Sequence, residues 1–204
     1  MHHFDPDRQL VLPNAILVIS SSGVNQGEEK TRSWLARYNA AGIKVGMIHL
    51  SDEWKQAPVD FYPEAAFVFR NCYRGEVQKN GHCWFFGLGW KGGFREALVE
   101  KPISARRITW SFAGMMKSTR GAMLKSAQRV PGGKFLTTSG FGGQGGGIST
   151  AEFARLLNDT IFALCPRGNT AVDCFRIYEA FEAGCIPIVE EDGGWELAGE
   201  LLWP

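Results

Sequence analysis

The sequence lacks the features that mark several common protein classes. No apolar run approaches the roughly 20 residues of a membrane-spanning helix, and the N-terminal stretch MHHFDPDRQL has no apolar segment of the signal-peptide kind. It contains no GxxxxGKS/T phosphate loop, and its glycine-rich stretch does not support a GxGxxG fingerprint. These absences argue against NTPase and dehydrogenase functions.

Metal-binding patterns are also missing. The four histidines form no HExxH or HxxxH pattern, and the five cysteines contain no CxxC pair. An odd number of cysteines without a framework favours reduced thiols. We therefore expect no metal site, no disulfide framework and, together with the missing signal peptide, a cytoplasmic location.

The net charge of +1 gives no reason to expect nucleic acid or an anionic membrane as the main partner. The charge is nevertheless unevenly distributed. Residues 101–134 carry eight Lys or Arg and no acid, whereas residues 176–204 carry seven acids and one base. The basic stretch has two interpretations that composition leaves open, a surface that binds an anionic ligand or an ordinary solvated helix face.

The stretch from Ile161 to Val189 predicts a strand, a helix and a second strand. It begins with the apolar run IFALC and ends with the β-branched run IPIV. Thr170 with Asp173 fits a capping box at the helix start, and Gly184 stands where a residue following a helix belongs. The pattern indicates a βαβ unit with parallel strands.

In such a unit the loops after the strands meet at one edge of the sheet, where ligands of open α/β proteins bind. This edge receives Arg167 and Gly168, followed by the predicted helix N-terminus near Thr170. Free N–H groups, the helix dipole and an arginine favour a phosphate. Arg176 and Glu179 lie three apart and share a helix face, so one can meet a phosphate and the other a ribose diol.

An earlier part of the chain predicts another βαβ unit. The apolar runs at 14–20 and 43–50 are strands, and the amphipathic segment at 28–41 is a helix that ends at a glycine. The loop after the second strand holds adjacent carboxylates, Asp52 and Glu53. Either can act as a general base if burial or neighbours raise its pKa, but Asp52 can equally cap a following helix.

A third strand-to-helix transition has the same features of a phosphate site, namely a strand, a glycine and cations at a helix start. The strand ITWSFA ends at Gly114, and Lys117 and Arg120 fall in the first turns of the helix predicted to continue to residue 129. The glycine-rich segment at 132–147 is predicted to be a flexible lid. Ser149 and Glu152 then predict a capping box for the next helix.

Several of these motifs resemble one family. CPRGNTAVDCFRIYEAFEAGCIPIVEEDGG is similar to the donor-site motif of exostosin-like glycosyltransferases, nearest to the ribitol xylosyltransferase group, and HLSDEW, VFRNCYRG and SFAGMMKSTRGAML resemble further stretches of it. The resemblance implies a GT-B fold whose C-terminal domain binds a nucleotide-sugar donor. It places Glu179 at the donor ribose and Arg167 and Arg176 at the diphosphate, with Arg120 preferred over Lys117 as a further contact.

The fold class implied is α/β, with two Rossmann-like domains of GT-B type. We expect an acceptor-side domain at 1–100 and a donor-binding domain at 101–204, which is incomplete because the chain stops just after the motif. The implied activity is inverting, metal-independent transfer of a sugar, expected to be UDP-linked, to a hydroxyl of a glycan or polyol phosphate, without a cofactor. The alternative is a non-catalytic nucleotide-sugar-binding module or a fragment of such an enzyme.

Overall fold

The structure, a computed structural model, describes residues 11–20, 27–78, 82–117, 120–140 and 145–190. Residues 21–23, which follow the first predicted strand, and residues 191–194, the end of the motif CPRGNTAVDCFRIYEAFEAGCIPIVEEDGG, lie outside these residues. By its internal contacts the chain divides into two compact units, one up to Gly87 and one from Leu88 onwards. Both units are mixed α/β with a parallel sheet.

The first unit contains a four-stranded parallel sheet whose strands follow the chain in order. A 3₁₀ turn at Tyr62–Glu64 precedes the third strand. The elements are β1 (Ile16–Ser20), α1 (Glu28–Ala40), β2 (Gly46–Leu50), β3 (Val68–Arg70), α2 (Gly75–Gln78) and β4 (Cys83–Phe85).

Alternation along the strands gives this sheet a buried face and an exposed face. Met47 and Val68 are fully buried with Leu35 and Tyr38 of α1 in the core of the unit. Residues of the opposite pleat are much more exposed, including Val18 at 61%. Because successive side chains of a strand point to opposite faces, the continuous apolar run of β1 places Ile16 and Val18 on the exposed pleat.

The second unit also contains four parallel strands, but their order in the sheet is β6-β5-β7-β8. Two 3₁₀ turns, at Arg95–Ala97 and Ile103–Ala105, precede the sheet. The elements are β5 (Ile108–Gly114), α3 (Arg120–Ala127), β6 (Gly133–Thr137), α4 (Thr150–Asn158), β7 (Thr160–Cys165), α5 (Phe175–Glu182) and β8 (Ile186–Val189).

Helices cover both faces of this second sheet. Helices α4 and α5 pack with Ala163 and Cys165 on one face, and α3 packs with Trp110 and Leu164 on the other. The chain leaves β5 and β7 towards helices on opposite faces, so the loops after these neighbouring strands diverge. This is the topological switch point of an open α/β sheet, where a crevice for ligands forms.

Two predicted helix ends of the second unit are confirmed. The hydroxyl of Ser149 accepts a hydrogen bond from the Glu152 N–H, and the Glu152 carboxylate accepts one from the Ser149 N–H, which completes the predicted capping box. Gly184 follows α5 with a φ of 65°, in the left-handed region that favours glycine. The spacing therefore predicted these two boundaries well.

The predicted start of α5 is wrong. The helix begins at Phe175 with Cys174 as its N-cap, not near Thr170. Asp173, the expected partner of Thr170 in a capping box, instead accepts a hydrogen bond from the hydroxyl of Tyr178 at 2.6 Å. A tertiary contact of the aspartate thus replaces the local cap.

The interpretation of residues 132–147 as a flexible lid is also wrong for its first part, because Gly133–Thr137 form β6. A Cβ on Gly133 would lie within 1.9 Å of the Trp110 ring, so this glycine allows close packing beside β5. The glycine-rich composition of this segment suggested a loop, but Gly133 lies in a strand. The strand β4 was not predicted either.

Candidate functional site

A crevice for a ligand is expected at the topological switch point of the second sheet, where β5 ends at Gly114 and β7 ends at Cys165. Of the cations predicted for a phosphate site, Lys117 and Arg167 lie in the loops that leave these strands, and Arg120 and Arg176 lie in the first turns of the helices α3 and α5 that follow. Contacts between the loops bring them together: Lys117 donates to the side-chain oxygen of Asn169, and Arg120 donates to the Arg167 carbonyl. The sequence therefore placed these cations correctly, at the carboxyl edge of the sheet.

Arg176 lies across the end of β5. Its guanidinium approaches the Ala113 carbonyl at 3.4 Å and 3.5 Å, and its Cζ is 5.7 Å from the centre of the Phe112 ring. These are long hydrogen bonds, and no carboxylate in the described part of the chain forms an ion pair with Arg176. Its guanidinium is consequently not held in an ion pair by a described carboxylate.

Gly114 makes the position of Arg176 possible. A Cβ at this glycine would lie 2.6 Å from Nη2 of Arg176 and 3.1 Å from the Phe112 ring. The missing side chain thus leaves the space in which the guanidinium sits. The position of Arg176 therefore depends on Gly114, although 62 positions separate the two residues in the sequence.

Arg120 connects the two loops rather than projecting from them. Its side chain is only 4% exposed and donates to the carbonyls of Met115 at 2.9 Å and Arg167 at 3.1 Å. These bonds join the loop after β5 to the loop after β7. The described contacts of Arg120 therefore position the walls of the crevice.

Polar groups of the loop after β7 already have partners within the second unit. Arg167 forms an ion pair with Glu190 at 3.1 Å, just beyond the end of β8. The N–H of Gly168 donates to the Ala171 carbonyl at 2.7 Å, so it closes a turn. Thr170 lies in the same irregular segment, five residues before α5, and so does not lie at the helix N-terminus as predicted.

Glu179 lies one helical turn beyond Arg176 and is only 5% exposed. Its Oε1 accepts a hydrogen bond from the Lys91 N–H at 3.3 Å, the one hydrogen bond it makes within the described residues. Burial raises the pKa of Glu179, while the Lys91 N–H and the Arg176 charge oppose the rise. A carboxylate accepts several hydrogen bonds, so Glu179 retains capacity for a diol.

Asp52 of the first unit belongs to a buried polar network. Its Oδ2 lies 2.7 Å from Nη2 of Arg70, and its Oδ1 accepts hydrogen bonds from the N–H groups of Gln56 and Ala57. Arg70 also donates to the hydroxyl of Tyr62 at 3.0 Å. Arg70 is completely buried, and Asp52 is 4% exposed.

The environment of Asp52 lowers its pKa, whereas a general base benefits from a raised one. Burial alone would raise its pKa, but the Ala57 N–H and Arg70 outweigh that effect, and the pKa is lowered. Its backbone partners belong to a turn, and no helix begins within the following nine residues. Asp52 anchors a loop through a buried ion pair, and the base roles of Asp52 and of Glu53, half-buried beside it, stay predictions.

Sequence reasoning missed the importance of Arg70, although its motif VFRNCYRG resembles a stretch of the family. The signal was its position in the run AAFVFR, because Val68 and Arg70 share the buried pleat of β3. An arginine on a buried pleat needs an internal carboxylate. Arg74 of the same motif donates to the Ala57 carbonyl and ion-pairs with Glu76.

Two searches of the described residues gave negative results. No three or more of their histidine, cysteine, aspartate and glutamate side chains cluster as a metal site would require. No helix among them combines the length and the apolar character needed to cross a membrane.

A family model, described as the RXYLT1 C-terminal domain, matches residues 141–195. The match covers about a quarter of the chain and includes α4, β7, α5 and β8, with Arg167, Arg176 and Glu179 among them. Comparison with curated proteins and with solved structures gave no match. Over this short stretch, the match supports the resemblance to the ribitol xylosyltransferase group that the motif indicated.

Proposed function

We propose that the crevice of the second unit binds the diphosphate and ribose of a nucleotide-sugar donor. The observation that carries this proposal is the position of Arg176, which lies at the switch point beside Gly114 without a described carboxylate partner. A guanidinium is suited to a phosphate because it offers a planar set of donors. The matched family stretch supports the same assignment.

The proposed activity is transfer of a sugar, expected to be UDP-linked, to a hydroxyl of a glycan or polyol phosphate. The bond from the anomeric carbon to the diphosphate breaks while the acceptor oxygen bonds to that carbon from the opposite side, which inverts its configuration. The leaving diphosphate gains negative charge, which Arg176 and Lys117 stabilise. Glu179 accepts hydrogen bonds from the ribose diol, and Glu53 is the proposed base that takes the acceptor proton.

The proposal also includes the roles of the two units and the requirements of the reaction that the family resemblance implies. The two units are the acceptor-side and donor-side Rossmann-like domains of a GT-B protein, and the reaction needs neither metal nor cofactor. Arg120 and Arg167 shape the donor loops through their contacts with a carbonyl and a carboxylate.

A second candidate function is nucleotide-sugar binding without transfer. The geometry of Asp52 favours it, because a carboxylate with a lowered pKa in an ion pair is a weak proton acceptor. Mass spectrometry of reactions with glycan and polyol-phosphate acceptors distinguishes the two. A sugar-extended acceptor supports the transferase, whereas donor binding with no product supports the binding module.

Thermal unfolding with UDP, GDP and their sugar conjugates tests the donor site. A ligand that binds only the folded protein raises the melting temperature, and we expect this with one nucleotide class. Arg176→Ala removes a charged hydrogen-bond donor, so it should weaken binding by roughly 10- to 100-fold. Gly114→Ala should weaken binding as well, because the new Cβ displaces the guanidinium.

Arg155→Ala is the matched control. It removes one positive charge from an exposed position on α4, whose last turn leads to the start of β7 and so to the opposite edge of the sheet. This variant should retain the full ligand-induced shift. Equal shifts in all three variants, or none with any nucleotide in the unaltered protein, would contradict the proposed donor site.

A further inference from the structure

The segment that begins the second unit contacts helix α5 at the residue proposed to hold the donor ribose. The N–H of Lys91 donates a hydrogen bond to Oε1 of Glu179 at 3.3 Å. Trp90 precedes Lys91, so the peptide bond that joins these two residues lies next to the Glu179 carboxylate. A large aromatic side chain therefore leaves the chain beside the proposed ribose contact.

The indole ring of Trp90 is positioned from α5 by a cation. Cζ of Arg95 lies over this ring, 5.5 Å from its centre, within the distance at which a cation is attracted to an aromatic face. Nε of Arg95 lies 3.3 Å from Oε2 of Glu182, so the guanidinium is itself held by the helix. Trp90 nevertheless remains 40% exposed. The ring thus has a defined place and an accessible surface on which a ligand can pack.

The order of these groups along α5 matches the order of the parts of a nucleoside diphosphate. Arg176, proposed for the diphosphate, lies in the first turn, and Glu179, proposed for the ribose, follows one turn later. Glu182, the last residue of the helix, holds Arg95 beside Trp90. The rise of 1.5 Å per residue separates the first and last of these helix positions by about 9 Å. The contacts therefore follow the sequence phosphate, ribose, aromatic ring.

We propose that Trp90 binds the nucleobase of the donor, which stacks on the exposed part of the indole ring. This role rests on the proposed function, because it requires the diphosphate at Arg176 and the ribose at Glu179. Every nucleobase has a π face and can stack on an aromatic side chain. Trp90 therefore contributes affinity for the nucleoside without selecting between uracil and guanine.

Isothermal titration calorimetry of the whole protein with UDP, GDP and inorganic pyrophosphate separates the base contact from the phosphate contacts. Trp90→Ala should weaken binding of the nucleoside diphosphate by roughly 10-fold, because stacking is lost, and leave pyrophosphate affinity unchanged. Arg176→Ala should weaken both kinds of ligand, because both carry the diphosphate. Unchanged pyrophosphate binding also shows that the Trp90→Ala variant keeps a folded site.

Two further variants complete the design. Trp90→Phe keeps an aromatic ring and should restore most of the affinity that Trp90→Ala loses. Trp84→Ala is the matched control, because it removes a tryptophan of similar exposure, 47%, from β4 of the first unit. This control should bind all three ligands like the unaltered protein.

The outcomes separate the role of Trp90 from the proposed donor site. If Trp90→Ala binds every ligand normally, or weakens pyrophosphate as much as the nucleoside diphosphate, the role of Trp90 is overturned and the donor site stands. If the unaltered protein binds none of the three ligands, the donor site itself is overturned, and the nucleobase contact with it.

Discussion

His49 is a buried histidine whose protonation affects the stability of the first unit. It is 1% exposed, and burial and the Arg70 charge lower its pKa to about 4, although Asp52 acts in the opposite direction. An unfolded histidine has a pKa near 6.5. Between these two values the unfolded chain binds more protons than the folded chain, so stability falls as the pH falls.

We therefore predict that the free energy of unfolding decreases from about pH 6.5 towards pH 4, by at most about 3 kcal/mol from this residue. Urea unfolding at a series of pH values measures the decrease. His49→Gln has no titrating ring and should show a shallower dependence over this window. An identical pH profile in the variant would show that His49 does not carry the effect.

The residue scale also marks a limit of sequence reasoning. The pattern placed Arg176 and Gly114 at the correct sheet edge, because strand periodicity and glycine positions are local signals. It did not distinguish the guanidinium with no described carboxylate partner, Arg176, from the fully paired one, Arg70. Partners of charged groups depend on tertiary contacts, which local spacing does not contain.

At the scale of elements, α4 shows how a local signal succeeds. The hydroxyl of Ser149 caps the helix and Glu152 completes the capping box. We predict that Ser149→Ala lowers the free energy of unfolding by about 1 kcal/mol, because a helix N–H loses its acceptor. Denaturant unfolding measures the loss.

Ser126→Ala provides the control for this prediction. Ser126 is exposed within α3, where its side chain caps no helix, and alanine is at least as good a helix former. The control should be as stable as the unaltered protein. A similar loss in both variants would indicate that the effect at Ser149 does not come from the cap.

The same type of pattern failed at Thr170 and Asp173, and the comparison explains why. A capping box requires a side chain long enough to reach back to the N-cap N–H, which glutamate provides. Asp173 is shorter and is held by the hydroxyl of Tyr178. Glycine content misled in a related way at β6, where Gly133 accommodates the Trp110 ring.

At the scale of the whole molecule, alternating strands and helices predicted a parallel α/β protein, and both sheets are parallel. Strand order was not predictable, because hydrophobic periodicity specifies the faces of a strand but not its neighbours. That order nevertheless decides where the crevice forms: the first sheet follows chain order, whereas the second reverses direction between β5 and β7. Only the second sheet therefore has a switch point between its described strands.

Separate cores predict separate responses of the two units to a core mutation. Leu35 is fully buried in the core of the first unit, and Leu157 is 2% exposed in a core of the second. Each Leu→Ala variant should lose roughly 2–5 kcal/mol, from lost burial and the cavity created.

Hydrogen exchange followed by mass spectrometry shows which elements lose stability in each variant. Leu35→Ala should accelerate exchange in peptides of α1 and β2, while the peptides of β5 and β7 keep their protection. Leu157→Ala should give the opposite pattern, and each variant is thus the control of the other. Because the core clusters of the two units share no residue, accelerated exchange throughout the chain in either variant would mean that the two units unfold as one cooperative structure.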